Sequence, residues 1–340
     1  MLQECKKLFV LNDLSTYRSN LMGWSIIWIM MLHFRFSILK PLGFIAQYGY
    51  AGVEIFMFVS GIGLYFSLDK NSHIVSFYKK RLKRIFPVYF FVGIFASIFL
   101  FHDDIYTYFF RYTTIGFWFN LPYFEWYIPA IVVLYLAAPY IKKMCTPQFK
   151  YILFTIALFF LVSAFFAAKY QIFDRSHFFL YYRVPAFMLG MYTGLLIKHK
   201  QSTKPYIYTL LAGIPVFCMC YPMHYNVYEF KYYSIFFLLP LFMLIICMIS
   251  RLPFKINSMV QKVGDASLEI YLIQTLFFIA IIDGILIIPQ EWHDAVTIGL
   301  MAICTCSGIL LHRWFYKMLQ ATHAYFKAAY RAMYRMYRKK

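Results

Sequence analysis

Charge is scarce in this chain. Only 14% of its 340 residues are Asp, Glu, Lys or Arg, against about 25% in soluble domains. Acidic residues are scarcer still, 14 against 33 Lys+Arg. With 62% apolar and 22% aromatic residues, a soluble globule of this length could not bury its apolar surface. A soluble single-core enzyme and a disordered chain are therefore excluded, and a bilayer is the expected solvent. Cysteine is sparse and unpatterned. The pairs Cys218/Cys220 and Cys304/Cys306 are C-x-C inside apolar runs, not the C-x-x-C or Cys/His spacing of zinc sites. They read as packing thiols, and neither a disulfide framework nor a metal site is expected. The G-x-S-x-G elbow and the P-loop are missing too. Residues 1–19 hold no long apolar core and no small-residue cleavage site, so no cleavable signal is expected.

What is present is a series of long apolar runs: 20–38, 49–68, 86–102, 125–141, 151–168, 178–197, 206–221, 232–250, 266–288 and 295–315. Most match the ~20 residues that cross a hydrocarbon core. The expected fold is an all-α polytopic membrane protein of about ten transmembrane helices. Of the 33 Lys+Arg, 26 fall on the set of alternate segments that includes both termini, and 7 on the other set. The positive-inside bias then puts both termini in the cytoplasm and the chain in the cytoplasmic (inner) membrane as a multi-pass protein. Asp103, Asp104, Glu125, Asp174, Glu229, Glu291 and Asp294 lean to the opposite side. A nucleic-acid partner would not produce this alternation, so the net charge of +19 reads as loops facing anionic lipid. Residues 1–317 form the membrane domain. Residues 318–340, with Tyr330, Tyr334 and Tyr337 at helical spacing beside Arg331, Arg335 and Arg338, form a basic amphipathic cytoplasmic tail.

Ionisable groups inside apolar runs mark where function should be sought. His33 lies about 14 residues into the first run, roughly 20 Å along a 30 Å core. An imidazole there suits proton transfer, or it is a structural histidine bonded to a neighbouring helix. Glu54, in GYAGVEIFMFVSG, enters from the outside at similar depth. It could orient His33 as the carboxylate of a base pair, or pair with an arginine. Arg183 could bind an anionic group or pair with Glu54. Ser267, Tyr271 and Gln274 share one helical face, forming either a polar path or a helix–helix seam. The cluster Lys79, Lys80, Arg81, Lys83 and Arg84 is either a stop signal or a seat for a cytosolic polyanion, which arginine forks suit. The aromatic stretch 105–124 reads as an interfacial belt or a sugar-stacking surface.

The motifs NLMGWSIIWIMMLHF, GYAGVEIFMFVSG, FYKKRLKRIFPVYF, EWYIPAIVVLYLAAPY, YYRVPAFMLGMYTG and GDASLEIYLIQ, in this order over residues 15–285, resemble the membrane acyltransferase-3 family. These are the O-acyltransferases of surface polysaccharides. The resemblance implies transfer of an acyl group, most often acetyl, from cytosolic acyl-CoA to a hydroxyl of a carbohydrate acceptor. It implies His33 as general base or acyl carrier with Glu54 beside it. Lys80, Arg81 and Arg84 would hold the CoA phosphates. Trp126, Arg183, Tyr271 and Gln274 would line the substrate path. The family commonly carries an arginine eleven residues before the histidine, where this chain has Met22, with Arg18 one turn earlier. Its ninth-span motif often ends in histidine, where this chain has Gln274. Two other classes stay open: a glycan or lipid-intermediate transporter or flippase, and a non-catalytic assembly subunit.

Overall fold

The computed structural model describes residues 9–36, 39–70, 73–119, 125–145, 183–200 and 235–337, with isolated positions between. The expected spans 151–168 and 206–221 lie outside the described residues. Everything regular that is described is helical. The main elements are α1 (Arg18–Phe34), α2 (Tyr50–Lys70), α3 (Ile74–Ala96), α4 (Tyr127–Met144), α5 (Val184–Lys198), α6 (Ile235–Ser250), α7 (Lys255–Asp265), α8 (Ser267–Ile282) and α9 (His293–Tyr337). Among the described residues, four helical stretches are long and apolar enough to cross a bilayer by length and composition: Tyr50–Lys70, Ile74–Phe101, Tyr127–Met144 and Gln290–Met318. The pair α7–α8 makes a fifth if it is one span broken by a 73° bend.

Two expected boundaries shift. The basic cluster 79–84, expected in a loop, lies within α3, which starts at Ile74 and runs on through a π-helical turn to Phe101. The ninth run is shorter than 266–288 because the chain turns out of helix after Ile282. There Gly284 takes a left-handed conformation, φ 71°, that costs glycine little.

The core is built around α2, nearly all of whose residues from Tyr50 to Tyr65 are buried. Helices in lipid gain little from apolar burial against each other, so they associate through small residues that let backbones approach. Gly52 faces the Ser25 carbonyl of α1, and Gly190 of α5 faces the backbone of Phe58 in α2. In antiparallel register with α2, α1 brings Arg18 beside Gly63 and Trp28 beside Gly49.

α7 lies across the start of α1. Gly264 meets the Ser19 carbonyl and Gly23 meets the Val260 carbonyl. Ser19 Oγ donates to Asp265 Oδ1 at 2.6 Å, and Asn20 donates to the Asn257 carbonyl at 2.9 Å. After the bend at Ala266, α8 runs parallel to α1, so Asp265 is level with Ser19 at one end and Gln274 with His33 at the other. α4 runs parallel to α2, from Tyr127 beside Phe56 to Lys142 beside Asp69.

Candidate functional site

Six of these helices, α1, α2, α3, α4, α7 and α8, line a cavity of about 310 Å³. One end is cationic. Arg18 of α1, Arg81 and Arg84 of α3 line it, with Ser19, Asp265 and Ser267 at the α7–α8 bend. The other end is apolar and aromatic, lined by Ile29, Val53, Phe56, Tyr127 and Tyr271. Tyr127, Ile131 and Tyr135 sit four residues apart on α4 and form one wall, as the helical repeat requires. The Tyr127 and Tyr271 rings meet at 5.3 Å, tilted toward an edge-on arrangement.

The three arginines are not equivalent. Arg84 is engaged by a carboxylate: Nη1 donates to Glu269 Oε1 at 2.5 Å and Nη2 to Glu269 Oε2 at 3.1 Å. This fork is the strong form of the pair. Glu269 is fully buried, and His312 of α9 is also within 3.2 Å of it. Arg18 and Arg81, by contrast, each keep a buried Nε without a hydrogen-bond partner among the described residues. They are the cations with capacity to spare. Lys80 is exposed and is not part of the cavity lining.

Arg18, Met22, Ile29 and His33 share one face of α1, within about 60° of each other at ~100° per residue. His33 lies one turn past Ile29 and roughly 22 Å from Arg18 along the axis, just beyond the cavity lining. It is half-buried, its Nδ1 is 2.9 Å from Gln274 Oε1, and its ring stacks on Phe278 at 4.3 Å. Among the described residues, the carboxylate of Glu54 is directed elsewhere. It pairs with Arg183 at 3.4 Å, both side chains buried, and Arg183 in turn lies 4.5 Å over the Trp126 ring. The structure therefore joins His33 to Gln274, and Glu54 to Arg183 and Trp126. It sets Tyr271 in the cavity wall between these groups.

Three contributors, Arg18, Tyr127 and Tyr135, are not marked as site residues by the sequence, and a fourth, Glu269, shows there only as a polar interruption of an apolar run. Arg18 stands out in the sequence only as a basic residue one turn before Met22, although it shares the His33 face. Tyr127 and Tyr135 lie within EWYIPAIVVLYLAAPY, where their spacing does not set them apart from the apolar residues around them. Glu269 stood off the polar face of its run, and its i−2 relation to Tyr271 concealed that it points to α3 and α9. A carboxylate in an apolar run was the available signal.

A model of the acyltransferase-3 family, described as an acyltransferase domain, matches residues 20–312. Among curated proteins, "Putative acetyltransferase ORF330" of Acidianus two-tailed virus is 27% identical over 200 residues, covering 55% of this chain and 57% of the viral protein. The chain thus matches little more than half the length of that relative. No solved structure matches.

Proposed function

The chain belongs to the acyltransferase-3 family, and from that premise we propose that it transfers an acyl group, most often acetyl, from cytosolic acyl-CoA to a hydroxyl of a cell-surface carbohydrate. In this reading it spans the inner membrane about ten times with both termini in the cytoplasm. The observation that carries the reading is the polarity of the cavity, cationic at one end and apolar at the other, on the helix face that leads to His33.

The donor suits that polarity. Its phosphates need fixed cations, and Arg18 and Arg81 have unmatched donors at the end where the basic loops lie. Its acyl end needs a dry path, and Ile29, Val53, Phe56 and Tyr127 supply one. His33 then stands where the acceptor would arrive from the far side. As general base it takes the proton of the acceptor hydroxyl while that oxygen attacks the thioester carbonyl. The C–S bond breaks and CoA leaves as a thiol, receiving the proton from the imidazolium. As acyl carrier, the imidazole attacks the thioester carbonyl first, the C–S bond breaks and CoA leaves as thiolate. The acceptor hydroxyl then displaces the imidazole from the acyl group, and its proton passes to the thiolate. Arg183, Trp126, Tyr271 and Gln274 are proposed to position the acceptor and His33 rather than to react.

The test uses purified protein in lipid with acetyl-CoA labelled in its acetyl group and a crude glycan extract. The expected outcome is glycan-stimulated CoA release and label in the glycan, both lost by at least 100-fold in His33→Ala at equal folded yield. Full transfer by His33→Ala overturns the role of His33. Absence of turnover with vesicle counterflow of a glycan intermediate overturns the transferase in favour of the carrier.

A further inference from the structure

We propose that Gln274 and Thr275 form a one-way hydrogen-bond relay that sets the tautomer of His33 and presents its Nε2 to the reacting hydroxyl. The catalytic meaning of this relay rests on the transferase reading above. Its structural content rests on hydrogen bonds alone.

The direction of each bond follows from the one before it. The Tyr271 backbone carbonyl can only accept, so the Thr275 hydroxyl, 2.7 Å away, donates to it. A hydroxyl has one hydrogen. With that hydrogen committed, Thr275 Oγ1 can only accept from the Gln274 amide group 3.2 Å away. That group is therefore the NH2, which turns the amide oxygen toward His33 Nδ1 at 2.9 Å. An amide oxygen carries no hydrogen, so the hydrogen in this last bond belongs to Nδ1. In the neutral ring the lone pair is then on Nε2, the position a base or an acyl carrier must use.

The surroundings keep the relay in this state. Gln274 is 0% and Thr275 1% exposed, so water does not compete for either side chain. The Nδ1 bond is the hydrogen bond that His33 makes among the described residues. Stacking on Phe278, with the planes 11° apart, fixes the swing of the ring. A histidine at position 274 could donate or accept, and would leave the His33 tautomer undetermined. Glutamine, once held by Thr275, leaves a single arrangement. Gln274 and Thr275 are thus positioning residues. They orient His33 with a neutral acceptor rather than with the carboxylate of Glu54, which is committed to Arg183.

The experiment reads the tautomer directly. Full-length protein labelled with nitrogen-15 at histidine is placed in lipid nanodiscs, and the His33 signal is identified by its loss in His33→Ala. The expected spectrum shows Nδ1 protonated and Nε2 bare. A spectrum with Nε2 protonated overturns the proposal without any activity being measured. Thr275→Ser keeps the relay and is expected to match the wild type. Thr275→Val removes the hydroxyl at nearly the same volume. It is expected to mix the tautomers and lower kcat roughly 10- to 100-fold, with the KM for acetyl-CoA changed less than twofold. Thr275→Val with wild-type tautomer and kcat overturns the relay. A wild-type protein that transfers no acetyl group refutes the proposed function, and the tautomer measurement still decides this inference.

Discussion

At the scale of single residues, the cationic end of the cavity divides into one arginine that is matched and two that are not. The Arg84 charge is answered by Glu269 in a two-bond fork that ties α3 to α8. Arg18 and Arg81, in the cavity lining, each retain a buried Nε with no hydrogen-bond partner among the described residues. A buried donor left unmatched carries the full cost of its lost hydration, about 1–3 kcal/mol. A bound anion would relieve that cost. Arg18→Ala and Arg81→Ala are therefore each expected to raise the KM for acetyl-CoA by roughly 10-fold or more, from ~1.5–3 kcal/mol per bond to a charged group. Lys80→Ala, at an exposed position outside the lining, should change it less than twofold. Steady-state kinetics on the four proteins checks this. Equal effects of Lys80 and Arg18 would mean that a diffuse basic surface, not the cavity, attracts the donor.

At the scale of the helix, the decisive feature is the break between α7 and α8. An unbroken helix through 255–282 would carry Ser267 and the rest of α8 away from α1. The 73° bend instead returns α8 alongside α1, which puts Ser267 and Tyr271 in the cavity and Gln274 against His33. The bend is held by close packing at Gly264, where a Cβ would collide with the Ser19 carbonyl. Backbone cannot move aside as a side chain can, and overpacking of this kind costs about 1–3 kcal/mol or more. Gly264→Ala is expected to lower the unfolding temperature in detergent by several degrees and to reduce turnover with it. Gly299→Ala, where a Cβ would meet nothing within 4 Å, should leave both unchanged. Thermal unfolding of the two variants side by side distinguishes site-specific crowding from a general intolerance of larger residues.

At the scale of the whole molecule, the two ends are chemically distinct. Asp69, Lys142 and Lys198 form ion pairs at the end that holds Arg18 and Arg84. At the other end Asp294 accepts from the Leu39 backbone at 2.6 Å, and Thr297 of α9 reaches the Phe34 carbonyl one residue past His33. If the bundle crosses the membrane as proposed, these ends face opposite compartments. In a background without native cysteines, Lys200→Cys and Glu291→Cys are expected to react with a membrane-impermeant maleimide from opposite sides of sealed vesicles. Lys200→Cys should react from the cytoplasmic side. Labelling of both from one side would refute the proposed orientation of the cavity.

The sequence by itself determined that the chain is helical and apolar and where its polar exceptions fall. Low charge and long apolar runs leave few other solutions, because a helix satisfies its own backbone in lipid. Once residues 18–34 form one helix, Arg18 and His33 share a face by the helical repeat alone. Only the tertiary structure decided which exceptions meet. Glu54 and His33 looked like partners by depth, yet the rotation of α2 and the packing of Gly52 and Gly190 turn Glu54 to Arg183. Gln274 looked like a departure from a motif, yet the bend at Ala266 makes it the partner of His33. Rotation about a helix axis and the angle at a break are set by contacts between distant segments, such as Ser19 with Asp265. Periodicity along a single run carries no record of them.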